Sequence, residues 1–280
     1  MRLNTISAPE FNLEKTLNSG QVFHWTRVGN GYAGAIGEEP VFVEQVGTSL
    51  KTHKAHVDLV ANYFALDHSL PQILGTFRSD STIREAVKYC DGLRIIRQPL
   101  WECLAAFLTS AMKQVQHIRA MALAIRQRFG RKLAHEGFEV YSYPEPEILA
   151  EATLDSLLEC RLGFRAKNLL ETAKIIARGE LDLERLRLIP NEEACRELCK
   201  LPGVGEKIAN CVLLFAYERL DAIPIDVWIG RILKEAYFAD QPKVSMKELK
   251  AFSEEYFGCY GGYAQQYLFH HWRMTYRSRQ

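Results

Sequence analysis

The sequence predicts an α+β protein: a small N-terminal antiparallel β-sheet domain over residues 1–98, followed by a mainly helical domain over 99–280. Two observations carry that expectation. Early in the chain, short runs rich in Val, Phe, Trp and Tyr alternate with turn residues. From Pro99 onward the apolar spacing is helical almost throughout. A length of 280 residues suits about two domains, and 48% apolar against 25% charged residues excludes a disordered chain.

The expected strands are 21–26, 32–36 and 41–46, separated by Gly29-Asn30-Gly31 and Gly37-Glu38-Glu39-Pro40 and closed by Gly47-Thr48-Ser49. Turn residues so placed read as a meander. Helical patterns come next at 55–65 and 82–90, where Thr82 and Glu85 have capping-box spacing. The later helices are expected at 100–113, 115–129, 154–160, 165–178, 191–199, 206–217, 227–238, 246–257 and 262–275. Asn191 and Ser245 are candidate N-caps, the latter with Glu248 three residues on.

Lys+Arg total 35 and Asp+Glu 34, so the net charge of +1 gives no global argument for a polyanionic partner. Local patterning does more. No acidic residue lies between Glu102 and Glu136, whereas Lys113, Arg119, Arg126, Arg128, Arg131 and Lys132 do. Such a run is a solvated helix face or a surface for phosphates. The seven cysteines contain no CxxC pair, which leaves a disulfide scaffold, zinc ribbon or cysteine-ligated cluster without support. His270 and His271 are adjacent, so on a helix they diverge by about 100°. No metal and no cofactor is expected. No apolar run approaches the ~20 residues of a membrane span, and residues 1–6 lack a signal-peptide core. The sequence reads as an intracellular, reduced, soluble protein with no membrane partner, and a monomer.

The most informative segment is Leu201-Pro202-Gly203-Val204-Gly205-Glu206-Lys207, within a hairpin at 191–217. Gly203 and Gly205 let the backbone approach a partner closely. The N–H groups that open the next helix then suit a phosphate. A plain connection between helices also favours Gly and Pro. Lys207 falls in the first turn of that helix, against its dipole. It is either a surface lysine or a nucleophile, and a Schiff-base nucleophile requires the neutral amine. Nineteen residues on, Asp226 in Ile223-Pro224-Ile225-Asp226-Val227 stands where a helix begins. It is an N-cap, a charged group facing a reaction centre, or both.

These residues together resemble the helix–hairpin–helix DNA glycosylase superfamily, and most closely its eukaryotic-type 8-oxoguanine DNA glycosylase/AP lyases. Ser19-Gly20-Gln21-Val22-Phe23-His24-Trp25 is similar to an early signature of that family. Arg161-Leu162-Gly163-Phe164-Arg165 resembles its duplex-wedging loop, and Tyr263-Ala264-Gln265-Gln266-Tyr267-Leu268-Phe269 its base-binding helix. The similarity runs in order from about residue 10 to residue 272.

The resemblance implies a base excision repair enzyme acting on double-stranded DNA that contains oxidised guanine. The damaged base is flipped into a cleft, a step that costs a few kcal/mol of unstacking. Lys207 is the implied nucleophile and Asp226 its charged partner. A Gly20 carbonyl accepts from the N7 hydrogen that 8-oxoguanine carries and guanine lacks. Gln265 and Phe269 share a helix face, one for the base edge and the other for its ring, and Cys211, one turn from Lys207, forms the opposite wall of the base pocket. Gly203, Val204 and Gly205 hold the backbone, while Phe164 and Arg165 fill the gap. Base removal is followed by strand nicking, in the cytoplasm of a prokaryote or the nucleus of a eukaryote.

Two rival readings stay open. An alkylated-base glycosylase of the same superfamily uses the aspartate without the lysine. A non-catalytic hairpin module needs neither. One departure from the family pattern also stands out. Where the family reads the opposite cytosine with asparagines and an arginine, this chain has Met112-Lys113-Gln114 and His117.

Overall fold

The computed structural model describes residues 3–110, 114–135, 137–241 and 243–276. The N-terminal sheet has five antiparallel strands: β1 (Leu3–Ser7), β2 (Thr26–Val28), β3 (Gly31–Ile36), β4 (Glu39–Val46) and β5 (Ser49–His53), in the order β1-β5-β4-β3-β2. Alternation places Ala33, Ala35, Val41, Val43 and Leu50 on the buried face. Phe11, Leu17, Trp25, Tyr63 and Phe64 close a small core beneath it.

The sheet departs from expectation at three strands: β1 and β5 were not anticipated, and β2 begins only at Thr26. Ser49–His53, read as turn and loop, is a strand pairing both β4 and β1. Residues 21–25 are not a strand, because their polar groups are satisfied across the chain instead of along a ladder. Gln21 donates through Nε2 to the Arg94 carbonyl (2.8 Å) and accepts at Oε1 from Ile96 N (2.9 Å). Its own carbonyl accepts from Gln98 Nε2 (2.8 Å). Trp25 lies over Gly34, where a Cβ would come within 2.6 Å of the indole.

The larger core belongs to the helices, and it also takes in Leu70, Ile73, Ile83, Ala86, Cys90 and Leu93. The helix Ser81–Tyr89 packs on the C-terminal helix Gly261–Tyr276. Residues 70–93 therefore precede the expected boundary at 98 but pack with the helices beyond it. A hairpin of β6 (Lys132–His135) and β7 (Phe138–Tyr141), not anticipated in the helical part, rests on the sheet through Phe138 and Phe42.

Helix starts obey local hydrogen bonding. Ser245 and Glu248 form the expected capping box. At Ser81–Tyr89 the cap is Asp80, which accepts from Ile83 N (3.0 Å), and not the pair Thr82 and Glu85. At Asn191–Leu198 the preceding residue is Pro190, while the Asn191 amide donates to Asp221 (2.7 Å). Between the two domains, Glu102 lies buried against Arg126 and 3.2 Å from His24 Nδ1. Burial pushes Glu102 up and, with Arg126 adding to the effect, holds His24 well below its usual range.

Candidate active site

The hairpin joins the helix Asn191–Leu198 to the helix Glu206–Phe215. Gly203 adopts φ +78°, and a Cβ there would meet the Asn168 side chain at 2.2 Å, so only glycine fits. Gly205 is the N-cap with no side-chain bond and open space around it. Val204 is buried, so the turn presents backbone outward between two exposed glycines. The first-turn amides of the second helix lack intrahelical partners by construction.

Lys207 stands one residue into that helix and lines a cleft of about 1790 Å³. Gly20, Phe23, Phe107, Asp226 and Phe269 line the same cleft. It exceeds the volume of an ordinary small-molecule pocket, and it has room for a nucleotide with flanking strand. Phe107 shapes the floor beside the lysine. Its ring lies 5.5 Å from Lys207 Nζ, stacks on Phe215 at 5.3 Å and meets Phe23 edge-on at 5.7 Å.

Asp226 caps the helix Val227–Tyr237, its Oδ1 accepting from Ile229 N at 2.8 Å. It also faces the cleft, so the two readings of this residue are compatible. Cys211 is buried one turn below Lys207. Burial pushes its thiol up, Lys207 pulls it down and Asp226 adds to the upward push. Both the lysine and the aspartate therefore act on the Cys211 thiol.

Gly20 has φ +91°, and a Cβ would come within 3.2 Å of Phe269 Cε1. The two residues are close neighbours on the cleft wall, and together they bound one corner of a slot. Gln265, one turn before Phe269, is buried, and its Oε1 has no hydrogen-bond partner. A buried acceptor left unpaired costs about 1–3 kcal/mol unless a ligand supplies the donor.

Other expected positions are dispersed. Phe164 is 64% exposed at the tip of its loop, but Arg165 is only 4% exposed. Arg165 thus lies beneath Phe164, and not beside it at the loop surface. Its guanidinium carbon lies 4.3 Å from the Phe164 ring centroid, and Nη1 donates to the Leu162 carbonyl (3.2 Å). It supports the aromatic from below. His117 is exposed in the first turn of Val115–Phe129, while Met112 lies outside the described residues. Among the described residues no group of three or more His, Cys, Asp or Glu is placed to hold a metal, and no helix is long and apolar enough to cross a membrane. The sequence reading missed Phe107, Phe23 and Trp228 as cleft residues, since an aromatic at helical spacing signals core as readily as a site.

A helix–hairpin–helix that carries a lysine and an aspartate into one large cleft defines a DNA-repair class of protein. Residues 4–104 match the N-terminal domain of 8-oxoguanine DNA glycosylase, and residues 105–255 match the HhH-GPD superfamily of base excision DNA repair proteins. The chain belongs to that superfamily, on its 8-oxoguanine DNA glycosylase branch. It is similar to the Clostridium acetobutylicum 8-oxoguanine glycosylase/lyase solved with dsDNA containing cytosine opposite 8-oxoG. That structure has a TM-score of 0.90 and 31% identity, with 99% of each chain covered. It is 29% identical to an N-glycosylase/DNA lyase of Arabidopsis thaliana, covering 93% of this chain and 77% of that one. A probable N-glycosylase/DNA lyase of Methanothermobacter thermautotrophicus is 27% identical over 96% of both chains.

Proposed function

We propose that this protein excises 8-oxoguanine from double-stranded DNA and then nicks the strand, as a bifunctional glycosylase and AP lyase. The observation that carries the reading is the convergence of Lys207 and Asp226 on the cleft that Gly20 and Phe269 also line.

The lesion enters the slot whose corner Gly20 and Phe269 form. Phe269 stacks on its ring, and Gln265 pairs with its Watson–Crick edge, which provides the donor its buried Oε1 lacks. The Gly20 carbonyl accepts from N7–H, whereas guanine brings a lone pair there and leaves the acceptor unpaired. Outside the slot, the exposed ring of Phe164 fills the space the base vacates. Gly203, Val204 and Gly205 receive the strand's phosphate on backbone N–H groups.

Lys207 Nζ attacks C1′ as the neutral amine, and the bond from C1′ to the base breaks with its electrons leaving on the base. The carboxylate of Asp226 stabilises positive charge on the sugar as this bond opens. The amine then expels the ring oxygen and forms an imine. Loss of a 2′ proton and departure of the 3′ phosphate complete the β-elimination, and water releases the lysine.

A water-attack glycosylase would leave Lys207 unused, and a binding module would have no use for the slot. The protein acts where the genome lies, in the nucleoid of a prokaryote or the nucleus of a eukaryote. Borohydride trapping on a duplex with a single 8-oxoguanine tests the reading. A covalent adduct through Lys207 is expected, and base release without any adduct would overturn the mechanism.

A further inference from the structure

The turn that presents Gly20 is held by the helical domain through three consecutive carbonyls. Arg119 Nη2 donates to the Leu17 carbonyl at 3.1 Å and to Asn18 Oδ1 at 2.7 Å. Arg273 Nη2 donates to the Asn18 carbonyl. Gln266 Nε2 donates to the Ser19 carbonyl at 3.0 Å. These carbonyls end the helix Leu13–Asn18, where intrahelical donors have run out and cations are favoured by the dipole.

Arg273 also touches the other wall of the slot. Its guanidinium carbon lies 5.4 Å from the Phe269 ring centroid, and Nη1 is 2.9 Å from where a Gly20 Cβ would stand. Its Nη2 lies 3.2 Å from His270 Nδ1. Burial holds the imidazole at a pKa of about 4, so near neutral pH Nδ1 is free to accept. One planar group thus braces the Gly20 turn and the stacking ring together, a geometry that a lysine's point charge does not reproduce.

We propose that Arg273, assisted by Arg119, is a positioning residue that fixes the Gly20 turn relative to Phe269 in the lesion slot. The inference rests on the proposed roles of Gly20 and Phe269 in lesion recognition. A carbonyl that discriminates by one hydrogen bond does so only while it is unable to retreat. If the turn yields by a few tenths of an ångström, 8-oxoguanine loses its bond and guanine loses its penalty. An abasic site has no base in the slot, so its cleavage does not depend on this brace.

Single-turnover excision from an 8-oxoguanine·C duplex, beside nicking of a preformed abasic duplex, tests the proposal. Arg273→Met is expected to slow excision at least tenfold while abasic nicking stays within about twofold. Arg273→Lys should recover part of the loss, and Arg119→Met should show a smaller loss of the same kind. Equal loss of excision and nicking in Arg273→Met, together with a lowered melting temperature, would mean a structural role and overturn the proposal. If that variant fails to fold, Arg119→Met decides alone: selective loss of excision supports the brace, and unchanged excision refutes it. Gly20→Ala separates the two levels. Unchanged excision in Gly20→Ala would overturn the slot reading itself. Excision lost in Gly20→Ala but unchanged in both arginine variants would overturn only the brace.

Discussion

Lys207 Nζ sits 5.5 Å from the centre of the Phe107 ring, which is locked in place by its stack on Phe215. The lysine proposed as nucleophile therefore has an apolar, rigid neighbour on one side and the open cleft on the other. A long side chain loses rotamer freedom in such a place, and a reacting amine gains from being held in one orientation.

Lys207→Gln is expected to abolish both base release and imine trapping while binding to lesion-containing DNA survives. Glutamine keeps a polar chain in the cleft but has no nucleophilic amine. Gel-shift affinity and single-turnover cleavage on the same duplex check this. Normal cleavage by the variant would end the case for a lysine nucleophile.

Asp226 caps a helix, and two substitutions separate that cap from its proposed charge role. Asparagine caps a helix about as well as aspartate, so Asp226→Asn should keep nearly full stability. It removes the charge, and excision should fall by a hundredfold or more, about the loss of one preorganised electrostatic group. Asp226→Ala removes the cap as well and should cost a further ~1 kcal/mol in urea unfolding. Equal activity in Asp226→Asn and the parent protein would leave Asp226 as a cap alone.

How much of this was legible in sequence depends on how local each feature is. The hairpin turn was readable because Pro202, Gly203 and Gly205 impose their geometry within a few residues. So was the capping box of Ser245 and Glu248. The burial of Arg165 was not legible, because it depends on how the loop folds back over its own Leu162 carbonyl, which residue order does not reveal. The strand Ser49–His53 was missed since its inward positions hold only one apolar residue, Leu50, beside polar Thr52, and its partner β1 lies more than forty residues away. The brace on Gly20 was wholly hidden. It joins Asn18 to Arg119 and Arg273 across 101 and 255 residues of sequence.

His270 makes stability depend on pH in a defined direction. Its pKa is lowered to about 4 by burial, with Arg273 adding to the effect, against 6.5 for an ordinary histidine. Between those values the unfolded chain binds more protons, so stability rises with pH across the window. The contribution is complete above about pH 6.5 and is lost as the pH falls through about 4; a shift of that size amounts to about 3 kcal/mol. His24, held low by burial, acts in the same sense. Urea midpoints at pH 7.5 and pH 4.5 should therefore fall less in His270→Gln than in the parent. Parallel falls would assign the acid sensitivity to other groups.

Recognition of the base opposite the lesion should be weak. His117 is exposed in the first turn of Val115–Phe129, where the family resemblance places an arginine. A neutral imidazole offers one donor where a guanidinium presents five. Methionine, the residue at position 112, offers none. The exposed ring of Phe164 carries no polar group, so it fills space without reading a base edge. Each missing base-edge contact removes about 1–3 kcal/mol of discrimination. Preference for cytosine over adenine, guanine or thymine opposite 8-oxoguanine should therefore stay below about a hundredfold (~2.7 kcal/mol), although the lesion itself is still recognised through Gly20, Gln265 and Phe269. Single-turnover excision from the four duplexes measures this directly. His117→Arg should raise the preference for cytosine by roughly tenfold, the value of one good base contact. A parent protein that already exceeds a hundredfold would mean that other residues, with Gln114 and Gln116 on the cleft wall the first to test, supply the missing contacts.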